Sequence, residues 1–176
     1  TNMCNWAMQA ATACRPLLNL LTDELLGGWY VNIDETTLQV LREPGRSPTT
    51  TSYMWIFRRG DPDRQVLIYQ YHPSREGAVA STFLGDFRGY VQTDGYAGYD
   101  FLDRKKDVHH LGCLAHARRK FMDVIKAQGK NRQAGSVDIA LGYINQLYQL
   151  ERQYKKGEYS PAEVFQARQE QAKPIL

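Results

Sequence analysis

From residue 5 to residue 26 the chain carries few charges, and apolar side chains recur at helical spacing: Trp6, Ala10, Ala13, Leu17, Leu20, Leu21 and Leu25. The run meets Gly27 and Gly28, so the pattern predicts a helix stopped by glycine. Short aromatic and β-branched runs follow: "WYVNID" (29–34), "TTLQVL" (36–41), "SYMWIFRR" (52–59) and "QVLIYQY" (65–71), separated by the turn-rich "EPGRSPTT" and "GDPD". They predict a meander of three or four strands, with Trp29 and Trp55 in the core.

After "HPS" the period changes. "REGAVASTFLGDF" reads as a helix, "GYVQTD" (89–94) as a strand, "YAGYDFLDRK" as a short helix and "VHHLGCLAH" (108–116) as a strand. "ARRKFMDVIKAQ" is a helix with Phe121, Val124 and Ile125 on one face. A long amphipathic helix begins after Gly135, and a last one begins with Ser160 as cap and Pro161 at its first position. Antiparallel strands followed by alternating helices and strands define an α/β chain with a mixed sheet flanked by helices.

Composition narrows the class. No window offers the roughly 18 apolar residues a membrane span requires, and no signal-peptide pattern opens the chain. Cys4, Cys14 and Cys113 are odd in number and widely spaced, which argues against a disulfide framework and for a reducing, cytoplasmic setting. The net charge is +3, yet residues 104–132 hold nine Lys and Arg against Asp107 and Asp123, leaving that window at +7 and the remainder at −4. One basic zone favours a polyanionic partner; the alternative is a solvated helix face beside a charged loop.

Two predicted strands end in acids. "VNIDET" places Asp34 after the alternating Val31 and Ile33, and "YVQTDGYAGYD" places Asp94 where an apolar run opens into a turn through Gly95 and Gly98. If the two strands are neighbours, the carboxylates meet. Paired carboxylates repel and are tolerated mainly around a cation, and hard oxygen donors select magnesium or manganese over zinc. Two such ions about 4 Å apart support in-line attack on a phosphodiester. Small residues after Asp94 would admit a phosphate backbone, and Tyr96 and Tyr99 would line the approach or stack on an unpaired base. The plainer alternative makes both aspartates caps and both tyrosines packing.

Several segments together, "DETTLQVL", "YMWIF", "YHPSREG", "FLGDFRGYVQTDGYAGY" and "GCLAHARRKF", resemble the DDE transposases of the insertion sequence 66 family in order and spacing, from about Leu17 to the C-terminus. The resemblance implies a ribonuclease H-like core, with an N-terminal helix over 1–28, the core over 29–130 and a helical extension over 131–176. It implies that Asp34 and Asp94 are the first two catalytic acids, binding divalent metal for cleavage at transposon ends and strand transfer into target DNA. It further implies a homodimer, with Glu35 near the site. The family's third acid, a glutamate in an "NNxAER"-like segment, has no match here, and neither do the N-terminal DNA-recognition segments. The expectation is therefore an incomplete core, inactive alone. Glu151 is the tempting substitute, but its "LYQLE" context resembles a region preceding the catalytic glutamate, which makes it a helix-surface or pairing residue.

His109, His110, Cys113 and His116 are all possible zinc ligands, but strand alternation divides them between two faces. His116, where strand passes to helix, is a candidate auxiliary for positioning phosphate or water, or else a cap. Arg118, Arg119 and Lys120 open that helix as candidate DNA contacts; three consecutive residues do not share a helix face, so Arg118 and Arg119 are favoured as backbone contacts. Arg75 is a further phosphate candidate. Two other functions stay open: a DNA-binding remnant without chemistry, and a metal-dependent nuclease completed by Glu151.

Overall fold

The computed structural model describes residues 2–60, 64–129 and 132–176. The chain divides into two compact units, 1–113 and 114–176. Most of the predicted turn "GDPD" and the 130/131 boundary lie outside the described residues.

The first unit opens with α1 (Asn2–Ala13) and α2 (Arg15–Leu26). The sequence pattern predicts one helix here, but the chain breaks at Cys14, where Pro16 follows at the start of α2 and cannot donate to the helix before it. The apolar spacing is also only partly used. Trp6, Leu17, Leu20 and Leu21 are exposed, and Leu25 is the buried residue of the pair of helices. Arg59, from the strand beneath, holds α2 by donating to the Glu24 carbonyl at 2.6 Å and to Glu24 Oε1 at 2.8 Å.

Five strands follow, β1 (Tyr30–Gln39), β2 (Thr51–Arg59), β3 (Leu67–His72), β4 (Gly89–Thr93) and β5 (Val108–Gly112), in the order β3-β2-β1-β4-β5. β1, β2 and β3 pair antiparallel, whereas β4 runs parallel to both β1 and β5. The runs read separately as "WYVNID" and "TTLQVL" form one strand, because β2 pairs with β1 continuously from Val31 to Gln39. α3 (Gly77–Leu84) and a 3-10 helix (Ala97–Arg104) supply the crossovers. The β5 strand stops at Gly112, short of the predicted 116, because its partner β4 ends at Thr93, opposite Gly112, and helical structure begins at Leu114.

The core of this unit gathers Val31 and Ile33 of β1, Trp55 and Phe57 of β2, Val79 and Leu84 of α3, Val91 of β4, and Tyr99 and Leu102 of the 3-10 helix. Burial of side chains of this size contributes about 1.5–3 kcal/mol each. Trp55 meets its expectation at 0% exposure. Trp29 does not: it is 59% exposed, lying just ahead of β1 with its ring against Tyr30 and Tyr90 on the surface.

The second unit contains α4 (Leu114–Gln128), α5 (Ser136–Lys156) and α6 (Pro161–Ala167), the last continued by a π-helical turn (Arg168–Ala172). Leu141, Ile144, Tyr154 and Ala167 are buried. On α4, Phe121 and Ile125 are half-buried, whereas Val124, expected on the same face, is exposed. Asp138 begins α5 by accepting from Gly135 N–H at 2.8 Å and from both guanidinium nitrogens of Arg132, at 2.6 and 2.8 Å. Ser160 and Glu163 form the reciprocal cap that the sequence predicts for α6. Among the described residues no helix is long and apolar enough to cross a membrane.

Candidate active site on two neighbouring strands

β1 and β4 pair at Tyr30 with Tyr90, Val31 with Val91 and Asn32 with Gln92. Asp34 and Asp94 each follow the last pair by two residues, so the strand register brings them to the same level on adjacent strands. Asp34 shares its parity with Asn32 and so stands on the polar face of the sheet, within β1, whereas Asp94 follows the last residue of β4. Beneath them that face is tied by Asn32 Nδ2, which donates to Gln92 Oε1 at 2.8 Å and to the Tyr30 hydroxyl at 2.9 Å. Asp94 Oδ1 accepts from Tyr96 N–H at 2.9 Å, closing the turn that follows the strand.

Glu35 has the opposite parity and points with Val31 and Ile33 toward the core. Its side chain is 1% exposed. A buried carboxylate needs donors, and Glu35 has two: Arg75 Nε at 2.6 Å and the Tyr99 hydroxyl. Arg75 also reaches toward Asp94, with a guanidinium nitrogen 3.9 Å from Oδ2. Its guanidinium lies 3.9 Å from the centroid of the Tyr96 ring, a cation–π contact. Burial works against the charge of Arg75, but the hydrogen bond and charge of Glu35, with Asp94 adding, raise its pKa overall.

Tyr99 is fully buried, packs edge-on against Trp55 and serves Glu35, so its ring is part of the core rather than a surface for a base. Burial first, then Glu35, then Asp94 and Asp34, push its hydroxyl far above the ordinary tyrosine value, keeping it a neutral donor. Tyr96 is half-buried; its hydroxyl donates to the Arg75 carbonyl at 3.2 Å. The glycines of the turn also separate. A Cβ at Gly95 would meet nothing within 4 Å, whereas one at Gly98 would lie 2.2 Å from Cε1 of Tyr96. Gly98 therefore makes room for a ring, and Gly95 is the open position.

A third layer supports Asp94 from behind. Thr93, 1% exposed, donates from its hydroxyl to the Asp94 carbonyl at 2.8 Å and lies 2.8 Å from His110 Nε2. His110 Nδ1 is 2.7 Å from Asp103 Oδ1, and because a carboxylate only accepts, Nδ1 carries the proton. His109 stacks on Tyr90 at 4.9 Å.

The remaining sequence candidates lie in the second unit. His116 is in the first turn of α4, half-buried, followed by half-buried Arg118 and exposed Arg119 and Lys120. Glu151 is bound by Arg168 through two bonds of 2.7 Å, as a pairing residue of α5.

The roles of Arg75 and Glu35 toward each other, and the Thr93–His110–Asp103 chain, are absent from the sequence reading. For Glu35 a signal was present, because its parity matches Val31 and Ile33. For Arg75 none was, since its partner lies 40 residues away.

Asp34 and Asp94 are hard oxygen donors at one level of the sheet, which fits two ligands of a magnesium-like cation. Glu35 is already satisfied by its two donors. Among the described residues no group of three or more His, Cys, Asp or Glu forms a complete cation site.

A family model described as Transposase IS66 family matches residues 1–176. The chain belongs to that family, and the match reaches back beyond the motifs that start near Leu17 to include α1. It is similar to the uncharacterized protein y4jD of Sinorhizobium fredii (strain NBRC 101917 / NGR234), 31% identical over 97% of this chain and 34% of the relative. From the same organism, the uncharacterized protein y4qI is 28% identical over 99% of this chain and 33% of its own length. The chain thus spans about a third of the length of the curated relatives it matches. No solved structure matches.

Proposed function

We propose that this chain carries the first two catalytic acids of a DDE-type transposase, which cleaves DNA at the ends of an insertion sequence and transfers the strand to target DNA. The observation that carries the reading is the register: β1 and β4 are parallel neighbours, and Asp34 and Asp94 fall at matching positions past their last pair. Membership of the transposase family supports DNA-cutting chemistry in general. A mixed sheet of antiparallel strands followed by parallel ones, with helical crossovers, supports a ribonuclease H-like core.

In this reading Asp34 and Asp94 hold magnesium or manganese, which when bound activates a water or hydroxyl and offsets charge on the phosphoryl oxygens. Arg75, held by Glu35 and Tyr96 and facing Asp94, supplies a fixed cation for a phosphate oxygen. Thr93 and His110 keep the Asp94 backbone in place. In this reading a third acid completes the site, and its motif has no match among these 176 residues. His116, Arg118, Arg119 and Lys120 belong to the DNA-contacting part of the protein, and pairing of transposon ends implies a dimer.

Manganese calorimetry on the wild-type chain, Asp34→Asn and Asp94→Asn tests the reading. Weak binding that either substitution abolishes is the expected result. Equal binding by all three proteins would remove the shared site. The other reading, a DNA-binding remnant, draws on the Arg75 cation beside the acids, and predicts salt-sensitive DNA binding that manganese does not alter.

A further inference from the structure

Four cations line a cleft of about 580 Å3 between α4 and α5: Arg118, Arg119 and Lys126 from α4 and Arg152 from α5. Tyr148 and Asn145 complete the α5 wall, and among the described residues no carboxylate lines it. Among the described residues Arg118, Arg119 and Arg152 have no ion-pair partner, whereas Arg132 and Arg168 of the same unit are both bound by acids. Lys126 has one long contact, 3.4 Å to the exposed Asp123.

Like charges converging on one cleft repel each other, and an anion relieves that cost. Guanidinium forks match phosphate oxygens in pairs, which distinguishes this lining from a scatter of lysines. Arg119 and Lys126 stand seven residues apart on α4, about 10 Å at ~1.5 Å per residue. That is about three times the ~3.4 Å axial rise per nucleotide of one strand in a duplex. The spacing therefore suits a polymer of phosphates better than a single one. Lys120, between them in sequence, is outside the lining, so the feature is a cleft and not merely a basic helix.

We propose that the α4–α5 cleft seats one sugar-phosphate strand of DNA, gripped from both helices by Arg118, Arg119, Lys126 and Arg152, without reading its bases. The proposal rests on the reading of the chain as DNA-acting and adds to it a site with α5 as its second wall. The seat is used whatever the sequence of the strand.

The test is fluorescence anisotropy of labelled DNA duplexes of unrelated sequence, titrated with the whole chain at several salt concentrations. Arg152→Gln and Lys126→Gln should each weaken binding equally on all sequences and reduce the slope of log K against log[salt] by about 0.9. Lys173→Gln, outside the lining and beyond α6, should change neither. Circular dichroism checks that helix content is retained. If the wild type binds DNA and Arg152→Gln and Lys126→Gln leave affinity and slope untouched, the cleft is not the seat, while the transposase reading stands. If the wild type binds no DNA at low salt, both fall. If poly-glutamate displaces DNA at equal charge concentration, the assignment to nucleic acid is overturned.

Discussion

Arg75 and Glu35 are joined across 40 residues of sequence by a 2.6 Å hydrogen bond whose acceptor is 1% exposed and whose donor is 39% exposed. The acid is thus sealed in the sheet, and the base stands at its mouth beside Asp94. Removing Arg75 leaves a buried carboxylate with the Tyr99 hydroxyl as its remaining recorded donor. Arg75→Gln should destabilise the chain by about 1–3 kcal/mol in urea unfolding, the cost of an unsatisfied buried group reduced by the exposure of Arg75. In a Glu35→Gln background the same substitution should cost much less. Equal costs in both backgrounds would show that the ion pair is not the source.

Tyr99→Phe removes the other donor while preserving the ring against Trp55. The expected loss is again about 1–3 kcal/mol, with the packing term nearly unchanged. Because burial and three neighbouring acids hold the Tyr99 hydroxyl far above its ordinary value, ultraviolet titration should find a tyrosine that ionises only when the chain unfolds and whose signal is missing from Tyr99→Phe.

Close backbone approach gives a sharper contrast. A Cβ added at Gly77 would lie 1.9 Å from the Gly98 carbonyl oxygen, so α3 and the 3-10 helix have to separate to admit it. Gly77→Ala should lower stability by about 1–3 kcal/mol, as overpacked sites do. Gly95→Ala, with open space, should leave thermal unfolding close to wild type.

The start of α5 predicts a pH dependence. The Arg132 hydrogen bonds and the Gly135 N–H hold Asp138 well below the usual carboxylate range. A depressed folded pKa gives stability that is present above the unfolded value, about 3.9, and is lost as pH falls through the folded value. Wild type should therefore exceed Asp138→Asn in thermal unfolding at neutral pH, with the difference shrinking below about pH 4. A difference independent of pH would assign the effect to helix capping alone.

Much of this was legible in the sequence because it depends on neighbours. The alternation around Val31 and Ile33, the glycine stop at Gly27 and the Ser160–Glu163 cap are all local, and each strand run has its counterpart in the sheet. The two acids were also readable, although Asp34 lies within β1 rather than at its predicted end, and their falling at one level required β1 and β4 to be adjacent and parallel, which no local pattern states. What the sequence hid is set by partners far along the chain. Glu35 reads only as an acid near the site until Arg75 and Tyr99 donate to it, and the tyrosine after Gly98 reads as a lining residue until Trp55 covers it. The N-terminal apolar spacing misled in the other direction: it predicts a helix correctly but not that most of its apolar side chains are exposed.

β1 and β4 pair over three positions, and β4 ends at Thr93, while β2 accompanies β1 through to Gln39. Both aspartates lie just past that short ladder. The spacing of the two carboxylates therefore depends on how the last paired positions hold the two backbones as well as on side-chain rotation. Those positions are packed by Val31 and Val91 in the core and tied by Asn32 and Gln92 on the opposite face. Residues that never touch a substrate would in this way set the calibre of the site.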